Sequence, residues 1–302
     1  MSKITVIGSF VMDCVAKMNR FPDAGETVLG ESVSYFMGGK GVNQCVSVSR
    51  LNGDVEMIGC VGDDAYGKGL LKLLKDEGIS SEHVFVTSTP TAVAQIQINS
   101  AGENRICVIP AANYEFGEAH FEQIKSVIES TEIVMLQLEL RLGVTQDIVR
   151  YAKKRGKTII LNPAPASSLD ADVLGMIDII TPNETELALL TGISDLELAA
   201  KKLIKAGVQC VITTLGEQGA RVTTAFESKI IPGFSVDVVD TVAAGDSFNG
   251  ALAVALAEGE PIEKAVRFAN AMGALTVQRR GAIPSLRHRL DVEAFLDAHE
   301  EE

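Results

Sequence analysis

The chain has 302 residues, 46% of them hydrophobic, and a formal charge of −13. That is enough apolar material for one large core or two smaller ones, and the acidic balance argues against a nucleic-acid or anionic-membrane partner. Five cysteines, Cys14, Cys45, Cys60, Cys107 and Cys210, are odd in number with no CxxC pair, which fits reduced thiols and speaks against a zinc site.

Residues 1–12 lack a signal-peptide pattern, and no apolar run reaches membrane-spanning length, so a soluble cytoplasmic protein is expected. Lys3 to Gly8 reads as a buried first strand ending in glycine, the usual opening of an α/β domain. Val11 to Met18 and Gly30 to Met37 read as strands whose mixed polarity suits a small, half-exposed sheet. A helix from about Val42 to Leu51 follows, ended by Asn52-Gly53, then a strand from Val55 to Cys60 and a helix from about Ala65 to Asp76. Val93 to Asn99 and Arg105 to Pro110 alternate as a hairpin that completes the small sheet.

From Glu118 onward, strands at 133–138, 158–161, 177–181 and 208–213 alternate with helices at 145–155, 184–191 and 196–206. This spacing implies a doubly wound, mostly parallel sheet with helices on both faces. Gly219 to Phe234 reads as an antiparallel ribbon at its edge, and helices at about 262–278 and 291–299 finish the core. One domain of 1–302 with a small β lid, roughly 11–37 and 92–112, is the simplest organisation.

The chain is organised around Val238 to Leu256, where a β-branched run passes a small-residue turn and opens a long apolar helix. Ala243, Ala244, Gly245 and Asp246 form that turn. Small residues leave successive N–H groups uncovered at a positive helix end, a setting for a phosphate in transfer. Asp246 is either a general base for an attacking hydroxyl or simply the helix N-cap, and the local string leaves both open. Gly62 to Gly69 fits GxxxxGK but ends in glycine where a Walker loop needs Ser or Thr, so a glycine-rich turn is expected there. Gly38-Gly39-Lys40-Gly41-Val42-Asn43 has more glycine than a turn needs and reads as a sugar clamp, with Lys40 and Asn43 supplying donors. Asp13, just past the first strand, is placed to accept from vicinal hydroxyls. Asn183 and Glu186 at a strand end serve either a capping box or phosphate-bound magnesium, or both.

Taken in order, the Gly-Gly-Lys-Gly motif, Gln137-Leu138-Glu139, Asn162-Pro163-Ala164-Pro165, Thr181 to Glu184 and Asp240 to Asp246 resemble the ribokinase (PfkB-type carbohydrate kinase) family over essentially the full length. The resemblance implies ATP-dependent phosphorylation of a pentose at its C5 hydroxyl. Asp246 would be the base and 243–246 the anion hole. Asp13, Gly39, Lys40, Gly41, Asn43 and Glu139 would hold the sugar, and Asn183, Thr214, Gly216, Gly219, Gly245 and Asn270 would contact ATP, with Glu186 toward Mg2+. A K+ site beside the anion hole carries over to Asp240, Val242, Thr276, Arg279, Gly281 and Ser285. Homodimerisation through the β lid is also implied.

One position departs from the family pattern. Val11 stands where these kinases usually place an Asn facing the sugar hydroxyls. Valine makes no hydrogen bond to a hydroxyl, and an unpaired buried one costs about 1–3 kcal/mol. Similar kinases acting on 2-deoxyribose carry an apolar residue here. Whole-chain similarity points to ribose and Val11 to 2-deoxyribose. A non-catalytic sugar-binding protein is the remaining alternative, disfavoured by the intact Gly245-Asp246 pair.

Overall fold

A computed structural model describes residues 3–299. Seven parallel strands make up most of a nine-stranded sheet: β1 (Ile4–Ile7), β4 (Val55–Gly62), β5 (Val84–Thr87), β8 (Ile133–Leu136), β9 (Thr158–Leu161), β10 (Ile179–Ile180) and β11 (Cys210–Thr214). Two antiparallel strands, β12 (Ala220–Thr223) and β13 (Ser228–Ile231), extend one edge, giving the order β13-β12-β11-β10-β9-β8-β1-β4-β5. The expected edge ribbon is therefore present.

Alternation along the central strands feeds two cores. Ile4, Val6, Ile133, Met135 and Ile212 point to the face covered by α1 (Lys40–Arg50), α2 (Ala65–Asp76), α8 (Ala244–Ala257), α9 (Ile262–Thr276) and α10 (Arg289–Ala298). Ile7, Val134, Leu136, Leu161 and Val211 point to the opposite face, under α3 (Glu118–Ser130), α4 (Leu142–Lys154), α5 (Ala171–Leu174), α6 (Glu184–Thr191) and α7 (Leu196–Lys205). Strands buried on both faces read as unbroken apolar runs, which is why they were visible in the sequence.

The small sheet is separate, in the order β3-β2-β6-β7, built from β2 (Val11–Met18), β3 (Gly30–Gly38), β6 (Ala92–Ile98) and β7 (Asn104–Ile109). The hairpin turn is held by the Asn99 side chain, whose Oδ1 accepts from the backbone N–H groups of Ala101 and Glu103. β5, α3 and α5 are elements that the chain-order reading did not single out. The run at Val238 and Val239 is exposed coil and not a strand. It is tied down by two N–H bonds, from Val239 and Asp240, to the carbonyl of Val277.

The sheet order fixes where a ligand can bind. From β1 the chain winds outward through β4 and β5 on one side and through β8 to β11 on the other. The crossovers therefore diverge between β1 and β8, leaving a crevice at the carboxyl ends of these strands. Ser9, Gln137, Glu139, Asn162, Thr181 and Asn183 all follow strand ends on that side.

Candidate active site

The turn at 243–246 sits in this crevice. Ala243 adopts a left-handed conformation, φ 61°, at the N-cap of α8, a strained geometry for a residue with a Cβ. It aims the first N–H groups of α8 outward, and no backbone acceptor among the described residues takes those of Gly245 or Asp246. The capping role open to Asp246 is not taken up. Its carboxylate makes no cap bond; it turns away from the helix end, with Oδ2 accepting from Asn43 Nδ2 at 2.9 Å and Oδ1 from Gln44 Nε2 at 3.2 Å.

Two cavities meet on this turn. One, of about 620 Å³, is lined by Ala243 and Asp246 together with Val11, Asp13, Gly39, Lys40, Asn43 and Glu139. The inner face of the small sheet closes it through Ala94, Ile96, Ile106 and Val108. The other, of about 270 Å³, lies on the opposite side of the turn against Ala244 and Gly245 and takes in Thr214, Gly216, Gly219 and Asn270. A third space of about 200 Å³ touches Lys40, Asn183, Glu186, Thr214, Gly245 and Asp246 and so bridges the two. Of the residues expected around the nucleotide, Thr214, Gly216, Gly219, Gly245 and Asn270 line the smaller cavity, Asn183 lines the bridging space, and Glu186 lines the bridging space and the larger cavity that holds most of the residues expected around the sugar.

Gly41 has a packing role at this place in the fold. It does not line the sugar-side cavity. A Cβ at Gly41 would fall 2.5 Å from Ser9 N and 2.7 Å from Gly8 C, so this glycine lets α1 pack directly on the exit of β1. Gly39 does line the cavity, and its φ of 101° suits glycine alone.

Charge is concentrated on the sugar side. Lys40 faces Asp246, Glu139, Glu186 and Asp13; burial alone would lower its pKa, but those four carboxylates outweigh it and hold the ammonium charged. Burial, then the neighbouring charges of Glu139 and Asp246, push the Asp13 carboxyl up to about 6 against an ordinary 3.8, with Lys40 opposing. Glu139 is also pushed up by burial, although Lys40 and the Ser9 hydroxyl pull it back; it accepts from Ser9 Oγ and, at 3.2 Å, from Lys40 N. Such a cluster of carboxylates in a cleft is rich in hydrogen-bond acceptors and marks a candidate functional site.

Asn183 and Glu186 form the full capping box of α6: Asn183 Oδ1 accepts from Glu186 N at 2.8 Å and Glu186 Oε2 from Asn183 N at 2.9 Å. The Glu186 carboxyl is raised above its usual range by burial, and the residue borders both the sugar-side and the bridging cavity. Asn270 spends both amide hydrogens on the carbonyls of Ile231 and Pro232, pinning the β13 exit to α9 at the wall of the nucleotide-side cavity. Asp240 joins two segments, accepting from Val242 N at 3.1 Å and from Gly281 N at 2.9 Å. Thr276 directs its carbonyl to Arg279 N, and Ser285 donates its hydroxyl to the carbonyl of Ala282 at 2.7 Å. The glycine-rich decoy at 62–69 is a capped turn: Asp64 Oδ1 accepts from Gly67 N, putting a carboxylate where a phosphate would bind.

A family model described as pfkB family carbohydrate kinase matches residues 1–289. The chain belongs to the pfkB family of carbohydrate kinases. A ribokinase from Haemophilus influenzae is 37% identical, covering 97% of this chain and 98% of its own. A deoxyribokinase from Salmonella typhimurium is 34% identical over 92% of this chain and 93% of its own. A solved structure of Arabidopsis thaliana ribokinase, complexed with ribose and ATP, superposes with a TM-score of 0.92 at 32% identity, covering 98% of each chain. This carbohydrate kinase is therefore a phosphotransferase acting on a sugar hydroxyl.

Residues that the sequence did not mark also belong to the site. Gln44 donates directly to Asp246. Asn113 clamps the chain between β1 and β2, its Oδ1 accepting from Phe10 N and its Nδ2 donating to Phe10 O. Neither stands in a local pattern with the residue it touches.

Proposed function

We propose that this kinase transfers the γ-phosphoryl group of ATP to the C5 hydroxyl of D-ribose. The observation that carries the reading is the position of 243–246 between two cavities, with Asp246 facing one and Gly245 the other. The sugar lies in the larger cavity, its hydroxyls donating to Asp13 and Glu139 and accepting from Lys40. Asp246 orients the C5 hydroxyl and takes its proton, while the N–H groups of Gly245 and Asp246 meet the charge on the transferred phosphoryl. The transition state is loose, so its proton moves late and a weak base suffices; positioning supplies most of the acceleration. The inner face of the small sheet acts as a lid that excludes water from the transfer.

Magnesium, arriving with the phosphates of ATP, fits the free oxygen of Glu186, since this ion keeps most of its waters and takes few protein ligands. Potassium would be held by Asp240, by carbonyls of Val242, Thr276, Arg279 and Gly281 and by the Ser285 side chain, an all-oxygen set of the kind a hard cation takes. Half-exposed apolar residues on the face of the small sheet opposite the cavity, Val33 and Tyr35, favour a homodimer formed through it, a state that sedimentation would establish. A cytoplasmic location suits its five free thiols.

A second reading rests on Val11. This residue is 4% exposed and packs with Ala92 and Ala94, an apolar wall that suits a sugar lacking one hydroxyl. Magnesium-dependent ADP release with D-ribose and 2-deoxy-D-ribose side by side separates the two. A higher kcat/KM for ribose supports the proposal, a preference for 2-deoxyribose makes Val11 the specificity element, and no turnover on either overturns the pentose assignment.

A further inference from the structure

We infer that Gln44 is a positioning residue for Asp246, held in register by a buried chain of amide groups running beneath the strand ends. The inference rests on Asp246 being the catalytic base. The chain begins at Gln137, whose Nε2 donates to Gln44 Oε1 at 2.7 Å. Gln44 Nε2 donates to Asp246 Oδ1 and to Asn162 Oδ1, both at 3.2 Å. Asn162 Nδ2 donates to the Thr181 carbonyl at 3.2 Å, and Thr181 Oγ1 to Asn249 Oδ1 at 2.7 Å. Asn249 Nδ2 then donates to the carbonyl of Gly245 at 2.8 Å. The chain leaves the helix that carries the base and returns to it one residue away.

Two features argue that this is more than incidental core polarity. First, its direction is determined. A carboxylate accepts only, so Gln44 must present its NH₂ group to Asp246, and its carbonyl must then face Gln137. Both hydrogens of that NH₂ are used. Secondly, the fold accommodates the chain at a cost. Gln44 and Gln137 are each 1% exposed, and Gln137 Oε1 has no partner among the described residues. Gly8 has no side chain to spare, because a Cβ there would lie 2.0 Å from that same oxygen. An unpaired buried acceptor calls for a reason, and the other end of this amide supplies one by orienting Gln44.

Gln44→Met keeps the volume and removes the donor. The other charged groups facing Asp246, namely Lys40, Asp13, Glu139 and Glu186, are unchanged. The expected result is a roughly 10- to 100-fold lower kcat, the worth of one hydrogen bond to a charged group, with the sugar KM within about threefold. Gln137→Met, which leaves Gln44 free to turn, should lower kcat by roughly 3- to 10-fold with the sugar KM again within about threefold. It decides the matter if Gln44→Met does not fold. Wild-type kcat in folded Gln44→Met, or in Gln137→Met, or a loss that falls on the sugar KM and not on kcat, would overturn the inference. Asp246→Asn, assayed alongside, keeps the two levels apart: turnover there would overturn the base assignment itself, whereas an inactive Asp246→Asn beside a normal Gln44→Met overturns only the role of Gln44.

Discussion

Replacing Asp13 by Asn should stabilise the protein without sugar while destroying its affinity for sugar. The Asp13 carboxyl titrates near 6 in the folded protein against an ordinary 3.8, so the folded state holds its proton more tightly than the unfolded chain does. Its contribution to stability is therefore neutral below about pH 3.8, becomes unfavourable as pH rises, and is fully unfavourable above about pH 6. At about 1.4 kcal/mol per pKa unit, the cost is about 3 kcal/mol at pH 7.5 and only about 0.5 kcal/mol at pH 4. Asn mimics the protonated form and escapes this cost. At roughly 2 °C per kcal/mol for a chain of this length, Asp13→Asn should melt about 6 °C higher than wild type at pH 7.5 and within about 1 °C of it at pH 4. Saturating sugar should raise the melting temperature of wild type and leave the variant where it was. Thermal melts across that pH range test the reasoning, and a difference that stays constant with pH, or favours wild type at neutral pH, would refute it.

Four other outcomes follow from the same geometry. Gly41→Ala should lose about 1–3 kcal/mol of stability in denaturant titration, because its Cβ would strike the Gly8 and Ser9 backbone. Gly245→Ala has open space for its Cβ and should gain up to about 1 kcal/mol as a helical residue, yet lose turnover because the methyl group enters the phosphoryl path; unchanged kcat would remove Gly245 from the anion hole. Val11→Asn should improve kcat/KM for ribose relative to 2-deoxyribose by roughly 5- to 100-fold, the value of one buried hydroxyl bond. Asp240→Ala removes the acceptor that joins Val242 to Gly281 and should abolish any stimulation of ADP release by KCl while sparing the response to magnesium.

What the sequence showed depended on whether a signal was local. The central strands were legible because both faces are buried, and the Gly-Gly-Lys-Gly and 240–246 stretches were legible because their chemistry lies within a few residues. β5 was missed, being four residues at the sheet edge with a mixed pattern of burial. The packing role of Gly41 was not legible, because a glycine needed for close backbone approach and one needed for ligand contact look alike in sequence. The Val238 run was β-branched yet unpaired, because its N–H groups are taken by the single carbonyl of Val277. Nothing local relates Gln44 to Gln137, Asn162, Thr181 and Asn249, which come from α1, the ends of three strands and α8. Only the sheet order brings them under Asp246.

The most direct test of the account is the kcat of Asp246→Asn, measured as magnesium-dependent ADP release at saturating ribose and ATP, with the binding of both substrates followed separately. The account predicts a loss of at least about 100- to 1,000-fold in kcat, on the scale of losing one group that acts only in the transition state, with ATP affinity unchanged. A variant that turns over within tenfold of wild type would show that Asp246 is not the base.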